Sequence, residues 1–213
     1  MKLKRYPWKN CSLYLILDAG VCDYSKLWEV FQAGVNNGVD IVQLRDKLGN
    51  VPEVIEFTRR ARCYLKSAIP FIVNDRADLA LAAGASGVHV GQDDLPVAMA
   101  RQILPRSFVV GKSCQTLAHA MAAQAEGVEY IGFGSVFKTK TKPERLPMDL
   151  GLLREVADTV KIPVFAIGGI TRNNIGIVRA QGVRRVAVCR EILLARDPAK
   201  AVREFKSALV VDR

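Results

Sequence analysis

A repeating alternation constrains this chain more than any other feature. Short runs rich in Val, Ile, Leu and Phe recur along it, each followed by a longer stretch with helical spacing of its apolar residues. "LYLILD" (13–18), "VDIVQLR" (39–45), "PFIVND" (70–75), "GVHV" (87–90), "FVVGKS" (108–113), "YIGFGS" (130–135), "PVFAIGG" (163–169) and "RRVAVC" (184–189) read as strands. Between them, "SKLWEVFQAGVNNG" carries Leu27, Val30, Phe31 and Gly34 on one side of a helix. "VPEVIEFTRRARCYLKS" has Pro52 near its start, where proline is tolerated, and Val54, Ile55, Thr58 and Ala61 on one side. "ADLALAAGA", "LPVAMARQIL", "TLAHAMAAQAEG", "DLGLLREVADTV", "TRNNIGIVRAQG" and "DPAKAVREFKSAL" continue the series, and glycine follows several of them as a helix stop requires. Strand–helix units repeated in this way specify an α/β protein, a (β/α)8 TIM barrel, slightly shorter than the usual length of about 250 residues. A doubly wound open sheet has the same period and is the alternative. No low-complexity linker or break in composition interrupts the series. The expected organisation is one barrel domain over residues 13–213 after a basic extension at 1–12.

Composition bears on the partner. The chain has 31 basic and 21 acidic residues, a net charge of +10. That balance suits either nucleic acid or anionic phosphate esters. No aromatic stacking motif or basic helix accompanies it, so no nucleic-acid partner is expected. The basic start, with Lys2, Lys4, Arg5 and Lys9, leads into no apolar run of signal-peptide length, and no stretch of about 18 apolar residues exists to span a membrane. The cysteines at 11, 22, 63, 114 and 189 lack the spacing of a zinc or redox motif and read as small apolar residues of a reducing cytoplasm. His89 and His119 are too few for a histidine-built metal site. Nothing in the sequence specifies an oligomeric state.

In a barrel, chemistry gathers just beyond the C-terminal ends of the strands. Polar residues stand at those ends here. The second strand finishes in Gln43, Arg45 and Lys47, alternate positions that a strand would present on one face. The third finishes in Asn74 and Asp75, and the fourth leads into "GQDD" with Asp93 and Asp94. The fifth finishes in Ser113, the sixth leads into "FKTKTKPERLP", the seventh finishes in Gly168 and Gly169, and the eighth in Cys189 and Arg190. Arg45, Lys47 and Lys142 offer positive charge to an anionic group, Arg as a bidentate fork and Lys as a compact point charge. Asp75 and Asp94 offer hard oxygens, and a carboxylate pair beside a diphosphate is a common arrangement around Mg2+. The glycine pair in "AIGGIT", with Thr171 opening a helix, leaves backbone N–H groups for a second phosphate, and Thr139 and Thr141 add hydroxyls nearby.

From about residue 13 to 208, the motifs "QLRDK" (43–47), "NDRADLA" (74–80), "GVHVGQDD" (87–94), "GFGSVFKTKTK" (132–142) and "AIGGIT" (166–171) resemble the thiamine-phosphate synthase family. The resemblance implies a barrel that joins hydroxymethylpyrimidine diphosphate to a thiazole phosphate and releases pyrophosphate. It implies that Gln43, Arg45, Lys47, Asn74, Ser113 and Lys142 hold the pyrimidine diphosphate. Among these, Arg45, Lys47 and Lys142 would stabilise the departing charge. Thr139, Thr141, Gly169, Cys189 and Arg190 would hold the thiazole phosphate, and Asp75 and Asp94 would hold Mg2+. Removing Arg45 or Asp75 is then expected to reduce catalysis by orders of magnitude with little effect on folding. The chain departs from the family pattern at Gln115, where histidine is usual, at Ser135 in place of proline, and at Arg190 in place of a small residue. A thiazole tautomerase-like paralogue and a non-catalytic phosphate-binding barrel are the alternatives.

Overall fold

Strand pairing decides between a closed barrel and an open sheet. The structure, a computed structural model, describes residues 8–65 and 69–210; Lys2, Lys4, Arg5 and the end of the second helical stretch lie outside them. Its strands are β1 (Leu13–Asp18), β2 (Ile41–Arg45), β3 (Phe71–Asn74), β4 (Gly87–Val90), β5 (Val109–Cys114), β6 (Tyr130–Phe133), β7 (Val164–Ile167) and β8 (Val186–Val188). Each pairs in parallel with the next, and β8 returns to β1 with Leu13 opposite Val186 and Leu15 opposite Val188. That closure excludes the open sheet.

The helices are α1 (Tyr24–Asn36), α2 (Val51–Leu65), α3 (Ala77–Ala82), α4 (Val97–Ile103), α5 (Leu117–Ala125), α6 (Leu150–Thr159), α7 (Ile175–Ala180), α8 (Arg190–Leu193) and α9 (Pro198–Leu209). α8 has no counterpart in the sequence reading, because four residues are too few to display a helical period. α1 buries Leu27, Val30, Phe31 and Gly34, as its spacing predicts. On α2, Ile55 lies only half-buried and Phe57 takes the inward place, where its ring meets those of Phe31 and Phe71.

Alternation along the strands divides the interior into two cores. Leu13, Leu15, Leu17, Val42 and Leu44 face the helices. Tyr14, Ile16, Ile41, Ile72, Tyr130 and Phe165 fill the barrel lumen. Gly111 on β5 makes room there: a Cβ at that position would come within 2.2 Å of the Tyr130 ring. Below Tyr130 the lumen is closed before β1 begins. The Trp8 ring lies 5.3 Å from that of Tyr130, and Cys11 is buried in the same cluster.

Polar ties at the end opposite the mouth complete the ring. The Asp40 carboxylate accepts from the Leu13 N–H at 2.9 Å, the Ser12 N–H at 2.8 Å and Lys206 Nζ at 2.8 Å, linking α9 to the start of β1. Asp40→Ala leaves the Ser12 and Leu13 N–H groups without that acceptor and Lys206 with only Ser12 Oγ, at 3.0 Å. It is expected to lower unfolding stability by about 2 kcal/mol in a denaturant titration, with turnover per folded molecule unchanged.

Candidate active site

The inward register of β2 carries Ile41, Gln43 and Arg45 up the lumen to its C-terminal mouth. Gln43 is buried, and Arg45 stands directly across from Asp18 at the end of β1. There, Arg45 Nη1 is 2.7 Å from Asp18 Oδ2, and Asp18 is only 1% exposed. The strand ends before Lys47, so the alternation expected to align Gln43, Arg45 and Lys47 stops after two of them. Asp46 begins a loop. Its carboxylate accepts from the N–H of Leu48 at 2.6 Å and from Tyr24 Oη at 2.8 Å. Lys47 leaves that loop to pair with Asp75.

A cavity of about 380 Å³ opens at the mouth. Gln43, Arg45, Asn74, Ser113 and Lys142 line it, and so do Thr139, Thr141, Gly169, Cys189 and Arg190. Apart from Lys47, both sets expected from the sequence therefore share one cavity, of a size usual for small-molecule sites. Lys47, Asp75 and Asp94 form a cluster outside this lining. Asp75 has a positive φ of 60°, uncommon outside glycine but tolerated by Asp. Its N–H donates to the His89 carbonyl at 2.7 Å.

The two carboxyls of the cluster hydrogen-bond to each other. Burial and the hydrogen bond with Asp94 push Asp75 above its ordinary value despite Lys47. Burial also acts to raise Asp94, but the hydrogen bond from Asp75, the Gly91 N–H at 2.7 Å and the nearby Lys47 and Lys142 together hold it lower. A carboxyl pair kept together beside a cationic cavity suits Mg2+, which takes one or two carboxylates and completes its shell with water and phosphate oxygens. It does not suit a metal that needs an all-protein cage: no cluster of three or more His, Cys, Asp or Glu able to hold a metal occurs among the described residues.

Lys142 carries the clearest electrostatic signal. Burial lowers its pKa, and the neighbouring Arg145, Arg45 and Lys47 lower it further, against only Asp75. Arg45 and Lys47 each have a carboxylate partner, but among the described residues none pairs with Lys142, Arg145 or Arg190. Cations crowded into one half-buried mouth are stabilised by an anionic ligand.

The far side of the cavity is made by loops. Gly168 and Gly169 have φ of 105° and 62°, and a Cβ on Gly169 would lie 2.4 Å from the Lys138 carbonyl oxygen. The pair is thus required by the close approach of the β6–α6 loop. Thr171 does not open the helix, which starts at Ile175; its N–H donates to Asn174 Oδ1 at 2.7 Å, so that N–H is already occupied. Thr139 Oγ1 accepts from the Thr141 N–H at 3.2 Å. Cys189 hydrogen-bonds Thr141 and is pushed up to about 12 by burial, so it stays a thiol. Cys189, Arg190 and Glu191 open the short α8 on the cavity wall, and first-turn N–H groups have no intrahelical partner. Gln115 and Ser135 also line the cavity.

The sequence reading gave no place in the site to Tyr14, Asp18, Tyr130 or His89, having weighed His89 only as a metal ligand. Asp18 was visible as the last residue of "LYLILD", but its pairing depends on β1–β2 register. The other three are joined inside the lumen. Tyr14 Oη lies 2.8 Å from Tyr130 Oη, and His89 Nδ1 lies 3.1 Å from Tyr130 Oη. Burial, with the Lys142 charge, lowers His89 to about 3, so the ring is neutral.

A family model described as thiamine monophosphate synthase matches residues 13–192. The thiamine-phosphate synthase of Methanospirillum hungatei is 39% identical over 204 residues, covering 94% of this chain and 98% of that protein. That of Gloeobacter violaceus is 40% identical over 198 residues, covering 92% of this chain but 57% of a longer protein. Among solved structures, the thiamine phosphate pyrophosphorylase of Pyrococcus furiosus superposes with a TM-score of 0.85 at 32% identity, covering 95% of this chain and 96% of that one.

Proposed function

This chain belongs to the thiamine monophosphate synthase family, and on that premise we propose that it joins hydroxymethylpyrimidine diphosphate to thiazole phosphate, releasing pyrophosphate. The observation that carries the reading is Lys142: a half-buried ammonium among other cations, beside a carboxyl pair, at the mouth of a cavity. That arrangement calls for a ligand with several negative charges and a metal between like-signed groups.

In this reading Arg45, Lys47 and Lys142 bind the diphosphate, with Asn74 beside them. Gln43 and Ser113 meet the pyrimidine ring. The bond between the pyrimidine's methylene carbon and the diphosphate oxygen breaks, and its electron pair leaves with the oxygen. Cations preorganised at that oxygen stabilise the developing charge. Mg2+, held by Asp75 and Asp94, supplies further positive charge to the diphosphate when bound. The aminopyrimidine spreads the positive charge left on carbon. Thr139, Thr141, Gly169, Cys189 and Arg190 hold the thiazole phosphate so that the ring nitrogen's lone pair forms the new C–N bond. No side-chain nucleophile is needed. We place the reaction in the cytoplasm, a reducing compartment that suits cysteines kept as thiols. No helix among the described residues is long and apolar enough to cross a membrane.

The test is direct. Purified protein with hydroxymethylpyrimidine diphosphate, thiazole phosphate and Mg2+ is expected to yield thiamine phosphate and pyrophosphate in equal amounts, and EDTA is expected to stop both. Folded protein that binds the pyrimidine diphosphate without forming thiamine phosphate would overturn the synthase reading and favour a phosphate-binding barrel.

A further inference from the structure

We propose that Tyr14, Tyr130 and His89 are positioning residues that set, as one unit, which hydrogen-bonding atom Gln43 and Ser113 each present to the substrate's heteroaromatic ring. The role given to the ring rests on the pyrimidine reading above; the unit itself rests on geometry. Gln43 Nε2 donates to Tyr14 Oη at 2.7 Å. Tyr14 Oη and Tyr130 Oη are 2.8 Å apart, and Tyr130 Oη and His89 Nδ1 are 3.1 Å apart. His89 Nε2 is 2.9 Å from Ser113 Oγ. The chain runs through β2, β1, β6, β4 and β5, across the floor of the cavity. Tyr14 and His89 are only 2% and 7% exposed and Tyr130, between them, is 0% exposed, so the chain is buried through its middle.

Counting protons gives the chain a direction. A tyrosine has a single O–H, and a neutral imidazole a single N–H. Because Tyr14 accepts from Gln43, its own proton goes to Tyr130. The Tyr130 proton then goes to His89 Nδ1, which places the His89 proton on Nε2, facing Ser113 Oγ. The Ser113 proton is left over and serves the cavity. At the other end, Gln43 turns its N–H inward and keeps Oε1 for the cavity. The site therefore presents an acceptor at Gln43 and a donor at Ser113. Turning any one member alone would set two donors or two acceptors against each other in a buried space, so the chain reverses only as a whole.

This polarity selects a ring that offers an N–H toward Gln43 and a lone pair toward Ser113. An aminopyrimidine offers both. Its deaminated analogue, with a carbonyl where the amine was, sets an acceptor against the Gln43 oxygen and is disfavoured.

The first measurement is the His89 tautomer in the ligand-free protein, by two-bond 15N–1H correlation spectra, with a His119→Gln variant to assign the signals. Nε2–H with a bare Nδ1 is expected, and the Nδ1 signal should move in Tyr130→Phe. A proton on Nδ1 would overturn the proposal whether or not any variant folds. The second measurement is kinetic. Tyr14→Phe and Tyr130→Phe should each raise KM for the pyrimidine diphosphate about tenfold and leave KM for thiazole phosphate unchanged. The double variant should lose no more than either single one, since both break the same chain. Multiplying losses, or equal rises in both KM values, would count against it. A wild-type protein that makes no thiamine phosphate would instead remove the synthase reading, while the tautomer would still decide the chain.

Discussion

Replacing Arg45 with alanine is expected to lower kcat/KM for the pyrimidine diphosphate by about a hundredfold or more, the usual loss when a preorganised donor to a developing anion is removed. Arg45 stands at the cavity mouth with one nitrogen held at 2.7 Å by Asp18 and the rest of its fork available to phosphate oxygens. Asp18 also receives the Gly20 N–H at 3.0 Å, so its carboxylate is fixed and in turn fixes the guanidinium. The same contact corrects the expectation that folding would be spared. Arg45→Ala strands a carboxylate that is 1% exposed, and breaking a pair with so buried a member costs about 3 kcal/mol. The double variant Asp18→Asn/Arg45→Ala removes the stranded charge. It should recover most of the stability in a thermal melt while staying inactive. Wild-type kcat/KM in that double variant would show that Arg45 serves the fold and not the diphosphate.

That correction illustrates what the sequence could and could not carry. The strand–helix alternation and the position of polar residues after each strand are local, so the eight units and most of the residues at the mouth were legible from period and order, while closure into a barrel was settled only by the pairing of β8 with β1. Contacts set by register were not. Asp18 and Arg45 are neighbours only because β1 and β2 pair at those residues. Lys47 looked like a third member of one strand face, but Asp46 ends the strand by capping a loop. The α8 turn is too short to show a period, and the Tyr14–Tyr130–His89 chain joins strands far apart in the chain. Tyr14 and Tyr130 stand unremarked inside the runs "LYLILD" and "YIGFGS"; only closure of the barrel brings their hydroxyls together. The glycine pair was read as a phosphate signal; that the loop packed against it also requires glycine there could not be seen from the sequence.

Replacing Asp75 with asparagine is expected to reduce turnover by about a thousandfold, the scale of several kcal/mol of charge stabilisation. Asparagine is the informative substitution here. At a φ of 60°, alanine would add backbone strain to the loss of the carboxylate, but asparagine tolerates that conformation as aspartate does. The change keeps side-chain size and a hydrogen bond to Asp94 while removing the charge that meets Lys47 and that would meet the proposed Mg2+. A binding measurement separates this role from general disruption of the mouth. Mn2+ in the presence of pyrophosphate, followed by electron paramagnetic resonance, should bind the wild-type protein and bind Asp75→Asn and Asp94→Asn far more weakly. Pyrophosphate alone, without metal, should still bind the Asp75→Asn variant, because Arg45 and Lys142 remain and Lys47 is released from its partner. Equal Mn2+ affinity in wild type and both variants would exclude the carboxyl pair as the metal site. Loss of metal binding with pyrophosphate binding intact would locate the metal's contribution in these two side chains and leave the cations to grip the leaving group.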